Sequence, residues 1–120
     1  MENSTPIFKD YDIRGRYPAE INEKNTERIG MAFARYLTDK RGPGPIVLGR
    51  DARTSSDALF EAVLRGVNAE GLDGIDIGCV TTPLFYFSVI KSEAAGGAMI
   101  TASHNPAEWN ALKFLGSDGV

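Results

Sequence analysis

Ser103, His104 and Asn105 are consecutive, Pro106 closes the run, and Asn110 and Lys113 follow shortly after. One short stretch thus holds a hydroxyl, an imidazole, two carboxamides and an ammonium. It opens as an apolar run from Ala98 to Thr101, entered through Gly96 and Gly97, which reads as a buried strand. Pro106 then removes a backbone donor and ends any ladder. A strand that stops on Ser103 holds a hydroxyl on a rigid element and points it out at the end of the sheet, where α/β proteins take ligands. On residue types alone, Ser103 to Pro106 equally suits an ordinary turn, with asparagine and proline bending the chain and serine capping an amide. A serine-hydrolase reading fits less well. It needs Gly-x-Ser-x-Gly on a strand-to-helix elbow, whereas Ser103 is flanked by Ala102 and His104.

The rest of the chain must frame that stretch. Ile7 to Gly15 mixes apolar and charged residues in partial alternation and is expected to form one strand running into a glycine turn. Asn22 is a good N-cap with Glu23 in the first turn. Ile29, Ala32, Phe33, Tyr36 and Leu37 follow at helical spacing as an apolar stripe, and Gly42 to Pro45 closes the helix as a loop. Ile46 to Gly49 is a continuous apolar run, the pattern of a strand covered on both faces. Ser55 or Ser56 then caps a second helix that buries Leu59, Phe60, Val63, Leu64 and Val67, with Gly71 as its C′ residue. Gly74 to Gly78 is a third strand. Thr82-Pro83 opens a third helix, threonine as cap and proline at the first position, with Leu84, Phe85, Phe87 and Ile90 on its buried side. The alternation predicts a three-layer α/β/α sandwich: a mixed, mostly parallel sheet of about four strands with helices on both faces. Leu112 to Leu115 reads as a further strand, and Asp118-Gly119 as a hairpin turn whose second arm would begin at Val120.

Composition narrows the function classes. The chain has 120 residues, 42% hydrophobic and 24% charged, which suits one globular domain. A formal charge of −3 and scattered Lys and Arg give no electrostatic case for nucleic acid or a membrane surface. No apolar stretch approaches a membrane span, and Met1 to Ser4 lacks the basic and apolar regions of a signal peptide. Cys79 is the only cysteine, so an internal disulfide is excluded and a cytoplasmic setting is expected. Beside Gly78 at a strand end it reads as a packing residue rather than a nucleophile.

Three motifs in order resemble the α-D-phosphohexomutases, the phosphomannomutase/phosphoglucomutase superfamily. Tyr11-Asp12-Ile13-Arg14-Gly15 is similar to that branch's N-terminal signature, and Gly49-Arg50-Asp51-Ala52-Arg53-Thr54-Ser55 to its Gly-Arg-Asp-x-Arg-x-Ser motif. Thr101-Ala102-Ser103-His104-Asn105-Pro106, followed by Asn110-Ala111-Leu112-Lys113, resembles its phosphoserine loop, with Ala111 where glycine is usual. The resemblance implies that Ser103 is stored as phosphoserine and hands its phosphoryl group to a hexose phosphate, giving a bisphosphorylated sugar that turns over and returns the other phosphate. It implies catalytic roles for Ser103, Arg14, Lys113 and His104, and substrate or phosphate binding by Tyr11, Asn105 and Asn110. His104 and Asn105 suit positioning of the loop better than proton transfer. Arginine suits phosphate because its planar fork binds two oxygens and stays charged.

For the second motif the residues leave two readings. An open helix N-terminus beside two arginines can take an anion; alternatively Arg50 and Asp51 pair with each other or brace the Ser103 loop, which is preferred. The resemblance further implies Mg²⁺, held by phosphorylated Ser103 together with aspartates of a later domain. Residues 1–120 would then be domain I, truncated near its C-terminal end, with the other domains of the mutase and a phosphosugar as partners and no activity of its own. Phosphomannomutase/phosphoglucomutase is the expected specificity. The alternatives are domain I of a phosphoglucosamine mutase, or a non-catalytic phosphate-binding or interaction module.

Overall fold

Asn22 caps as its type predicts: its side chain accepts from the Asn25 amide at 3.0 Å while the Asn25 side chain accepts from the Asn22 amide at 3.0 Å. The computed structural model describes residues 8–9, 12–53, 55–101 and 109–116. Within them the chain runs β1 (Phe8–Lys9), β2 (Asp12–Arg16), α1 (Glu23–Arg41), β3 (Ile46–Arg50), α2 (Ser56–Ala69), β4 (Gly74–Cys79), α3 (Thr82–Lys91), β5 (Gly96–Ile100) and β6 (Trp109–Gly116). These elements form an α/β sandwich around one six-stranded mixed sheet in the order β1-β2-β6-β5-β3-β4. Two cores lie on its two faces. Ile46, Leu48, Ala98, Ile100 and Leu112 pack under α1 and α2, and Val47, Met99 and Leu115 pack under α3.

The sheet is larger than the expected four strands, for two reasons. Ile7 to Gly15 is not one strand: the chain reverses between Lys9 and Asp12, so Phe8 pairs with Ile13 across an antiparallel ladder. β6 is an inner strand, antiparallel to both β2 and β5. A parallel neighbour needs a crossover of a dozen or more residues, and α2 and α3 supply these for β4-β3-β5. Residues 102–108 are too few for one, so the chain returns beside β5 in the opposite sense. The Asp118-Gly119 turn lies outside the described residues.

Packing departs from the sequence expectation on α1, on α3 and at Cys79. On α1 the buried residues are Thr26, Gly30, Ala34 and Leu37, while Tyr36 is 57% exposed. The helices approach through glycine: a Cβ on Gly66 would collide with the backbone oxygen of Glu27, and one on Gly30 would stand 2.8 Å from that of Val63. Hydropathy counts large apolar groups, but close helix approach selects small ones. On α3 the cap is Thr81, one residue earlier than expected, accepting from the Leu84 amide at 3.4 Å. That helix buries Phe85 and Val89, leaving Leu84, Phe87 and Ile90 exposed. Its sequence is apolar almost all round, so periodicity could not choose the face. Cys79 is exposed rather than packed.

α2 ends as expected. Gly71 takes φ +82°, and the Gly71 and Leu72 amides donate back to the Asn68 and Val67 oxygens, closing a Schellman motif. No helix among the described residues is long and apolar enough to cross a membrane.

Candidate functional site

The ends of β5 and β2, the start of β6 and the turn after β3 meet at one end of the sheet's inner strands. Thr101, the residue after β5, is buried, and its amide donates to the Ala111 oxygen at 2.9 Å. Trp109 opens β6, so the segment 102–108 leaves and rejoins the sheet between neighbouring strands. Ser103, His104 and Asn105 belong to that segment and, like Tyr11, lie outside the described residues.

Arg14 and Lys113 are brought together. Arg14 pairs with Ala111 and Asp12 with Lys113 across the β2–β6 ladder, so the two cations are diagonal neighbours on one face. In antiparallel pairs such neighbours stand roughly 7–8 Å apart, within reach of one bound group for side chains of this length. That face is the α3 side, because Leu115, two residues beyond Lys113, packs with Phe85 and Val89. α3 packs against β3 and β5, and Arg14 and Lys113 stand beyond it, both half-buried. Arg16 adds a third cation to the same face. It is exposed at the end of β2, with its guanidinium 5.6 Å from the centre of the Trp109 ring. Neither Arg16 nor Trp109 was flagged by the sequence. Their approach comes from the β2–β6 register, which no local pattern reveals.

Asn110 is placed differently. It points to the other face and is fully buried; its amide nitrogen donates to Ser55 Oγ at 2.8 Å and Ser56 Oγ at 3.0 Å. Its Oδ1 accepts from the Ala111 amide at 2.9 Å. The second motif also divides. Arg50 does not pair with Asp51: it donates to Asp57 at 2.8 Å and Asp76 at 3.3 Å, with its guanidinium 4.5 Å from the centre of the Phe60 ring. Asp51 instead accepts from the Arg53 amide at 3.1 Å, Arg53 Nε at 3.2 Å and Ser56 Oγ at 2.5 Å. Arg53 Nη1 donates to the Trp109 oxygen at 3.4 Å. Ser55 precedes α2 as its cap residue without a side-chain capping bond, and Ser56 is buried in the first turn. In the sequence these serines were marked by the helix-cap position and, for Ser55, by the second motif, but not by any partner.

Among the described residues, no three His, Cys, Asp or Glu side chains come together as a metal-binding group. Arg14 and Lys113 are two cations held on strands rather than on a loop, a charge arrangement chemically suited to an oxyanion.

The comparisons with known proteins fall on this frame. Residues 5–120 match the family model described as phosphoglucomutase/phosphomannomutase, alpha/beta/alpha domain I. The chain belongs to that family. It is 49% identical over 110 residues to "Phosphohexose mutases" of Xanthomonas campestris pv. campestris, covering 92% of this chain and 24% of that one. It is 44% identical over 113 residues to a probable phosphoglucosamine mutase of Methanopyrus kandleri, covering 94% and 24%. Among solved structures, a putative phosphomannomutase from Thermus thermophilus superimposes with a TM-score of 0.86 at 37% identity, over 96% of this chain and 26% of that one. The chain therefore spans about a quarter of the length of these relatives.

Proposed function

We propose that this chain carries the phosphoryl-bearing serine of a hexose phosphate mutase, Ser103, together with two of the cations that neutralise the transferred group. One observation supports the reading above the others. Arg14 and Lys113 share a face of adjacent strands, next to Thr101, from which the segment holding Ser103 departs.

A phosphoserine brings close to two negative charges and three acceptor oxygens, so its chemistry demands cations in fixed positions. In the forward step a sugar hydroxyl oxygen attacks the phosphorus and the bond to Ser103 Oγ breaks. The hydroxyl gives up its proton, and Ser103 Oγ takes one up. The bisphosphorylated sugar turns over before the second transfer. Ser103 Oγ then attacks the other phosphate, releasing the isomeric monophosphate and restoring the starting state. Arg14 binds phosphoryl oxygens as a fork and Lys113 as a compact charge. Such a step depends on alignment and charge neutralisation. His104 and Asn105 position the loop, and Tyr11 is placed with the phosphate-binding set.

Magnesium, when bound, would share the neutralisation. Phosphorylated Ser103 is the ligand this chain offers, and further carboxylates would come from the additional length that the relatives have. The Tyr11 to Gly15 signature favours mannose and glucose phosphates over glucosamine phosphate, and full turnover needs that additional length as well. Intact-mass and peptide mapping of the full-length protein after incubation with glucose 1,6-bisphosphate test the reading. Ser103 is expected to be the phosphorylated residue, and phosphate retained by Ser103→Ala would refute it.

A further inference from the structure

We infer that Asn110 is a positioning residue that ties both ends of the 102–108 segment to the start of α2, and not a phosphate-binding group. The inference rests on the proposed role of Ser103 and deepens it. Asn110 is 0% exposed, and both hydrogens of its amide are committed to Ser55 and Ser56. A carboxamide has two donor hydrogens, so none is left for a phosphate oxygen. The strand position itself does not ask for asparagine: Leu112, two residues on and on the same face, meets the core with an apolar side chain.

What asparagine adds is a closed ring of bonds. Its Oδ1 holds the Ala111 amide, and the Ala111 oxygen holds the Thr101 amide at 2.9 Å. Ser56, bound to Asn110, donates to Asp51, whose own amide donates to the Ile100 oxygen at 3.0 Å. Asp51 also fixes Arg53, which reaches the Trp109 oxygen. Thr101 and Trp109, the residues on either side of the segment, are therefore held by one network that runs through Asp51, Ser56 and Asn110. Satisfied buried networks of this kind fix a single geometry, because loosening any member strands another polar group away from water.

The test uses the full-length protein with Asn110→Ala, Ser55→Ala and Ser55→Thr. Two quantities are read: transfer of phosphate from glucose 1,6-bisphosphate to Ser103, and hydrogen exchange at the Thr101 and Ala111 amides. For Asn110→Ala the maximal transfer rate should fall about 10²-fold, as expected for small misplacement of a reacting group, with the half-saturating concentration little changed. Exchange at Thr101 and Ala111 should quicken. Ser55→Ala should show the same pattern more weakly, and Ser55→Thr should restore it by returning the hydroxyl. A raised half-saturating concentration with an unchanged maximal rate would make Asn110 a phosphate ligand and overturn the inference. Unchanged exchange at both amides would also overturn it. If Asn110→Ala does not fold, the Ser55 pair decides by the same criteria. If the unsubstituted protein takes no phosphate at Ser103, the proposed function fails, and the exchange measurements alone decide whether Asn110 ties the segment.

Discussion

Met99 and Lys113 are cross-strand partners on one face of the sheet, yet they meet different surroundings. Met99 is 1% exposed beneath Phe85 and Val89, whereas Lys113 is half-buried and shares its surface with Arg14. The boundary falls where α3 stops. Under the helix, alternate residues of β3, β5 and β6 are Val47, Met99 and Leu115; beyond it stand Lys113 of β6 and Arg14 of β2. One pleated face thus serves stability in one half and charge in the other. The charged side chains stay near water, while the strand beneath Lys113 is held by a core a few residues away. Rigidity and access are supplied by neighbouring parts of one element.

Substitutions on either side of that boundary should separate the two. Phe85→Ala removes a large, fully buried side chain from the inner face of α3 and should cost about 3–5 kcal/mol of unfolding free energy, read by urea denaturation. Phe87→Ala, on the 60% exposed outer side of the same helix, should stay within about 0.5 kcal/mol. Equal losses from the two would mean that the helix buries a different face.

Across the boundary the pattern should invert. Arg14→Ala and Lys113→Ala should each slow phosphate transfer to Ser103 by about 10²–10³-fold, the range seen when one fixed donor to a developing charge is removed. Their unfolding midpoints should move little. A variant that lost stability and kept its transfer rate would place that cation in the scaffold instead.

The smallest effect belongs to Tyr17, just past β2, whose hydroxyl donates to Glu23 Oε2 at 2.7 Å. That bond is the main cause holding the Glu23 carboxyl below its ordinary range, and likewise the main cause raising Tyr17 above its ordinary 10.0. A lowered carboxyl contributes stability at neutral pH that is lost as pH falls through the lowered value. A raised phenol contributes stability that is lost as pH rises through the raised value. Both groups are partly exposed, so the contribution is small. Tyr17→Phe should lower the melting temperature slightly at neutral pH, and the difference should shrink at both extremes. A difference independent of pH would assign the effect to packing.

Short-range signals were legible in the sequence. Asn22 and Asn25 can form a capping box, and Gly71 can end a helix, through bonds to residues within a few positions, so local identity sufficed. The three motifs likewise carried the family, because side-chain types at fixed spacing survive without any knowledge of the fold. Lys113 and Arg14 were named from those motifs alone.

Long-range pairing decided the rest. That β6 lies between β2 and β5, and so sets Lys113 beside Arg14, depends on a register between strands nearly a hundred residues apart. The face of α3 depended on which of its many apolar residues met Val47 and Met99. The family resemblance implies a phosphate-binding role for Asn110, whereas its amide contacts with the two serines at the start of α2 come from the fold, because a carboxamide looks the same in a sequence whether it meets a ligand or two hydroxyls. Local sequence determines which elements form and which chemical groups are present. Only the tertiary structure decides which groups face one another, because burial and hydrogen bonding are set by neighbours brought from distant parts of the chain.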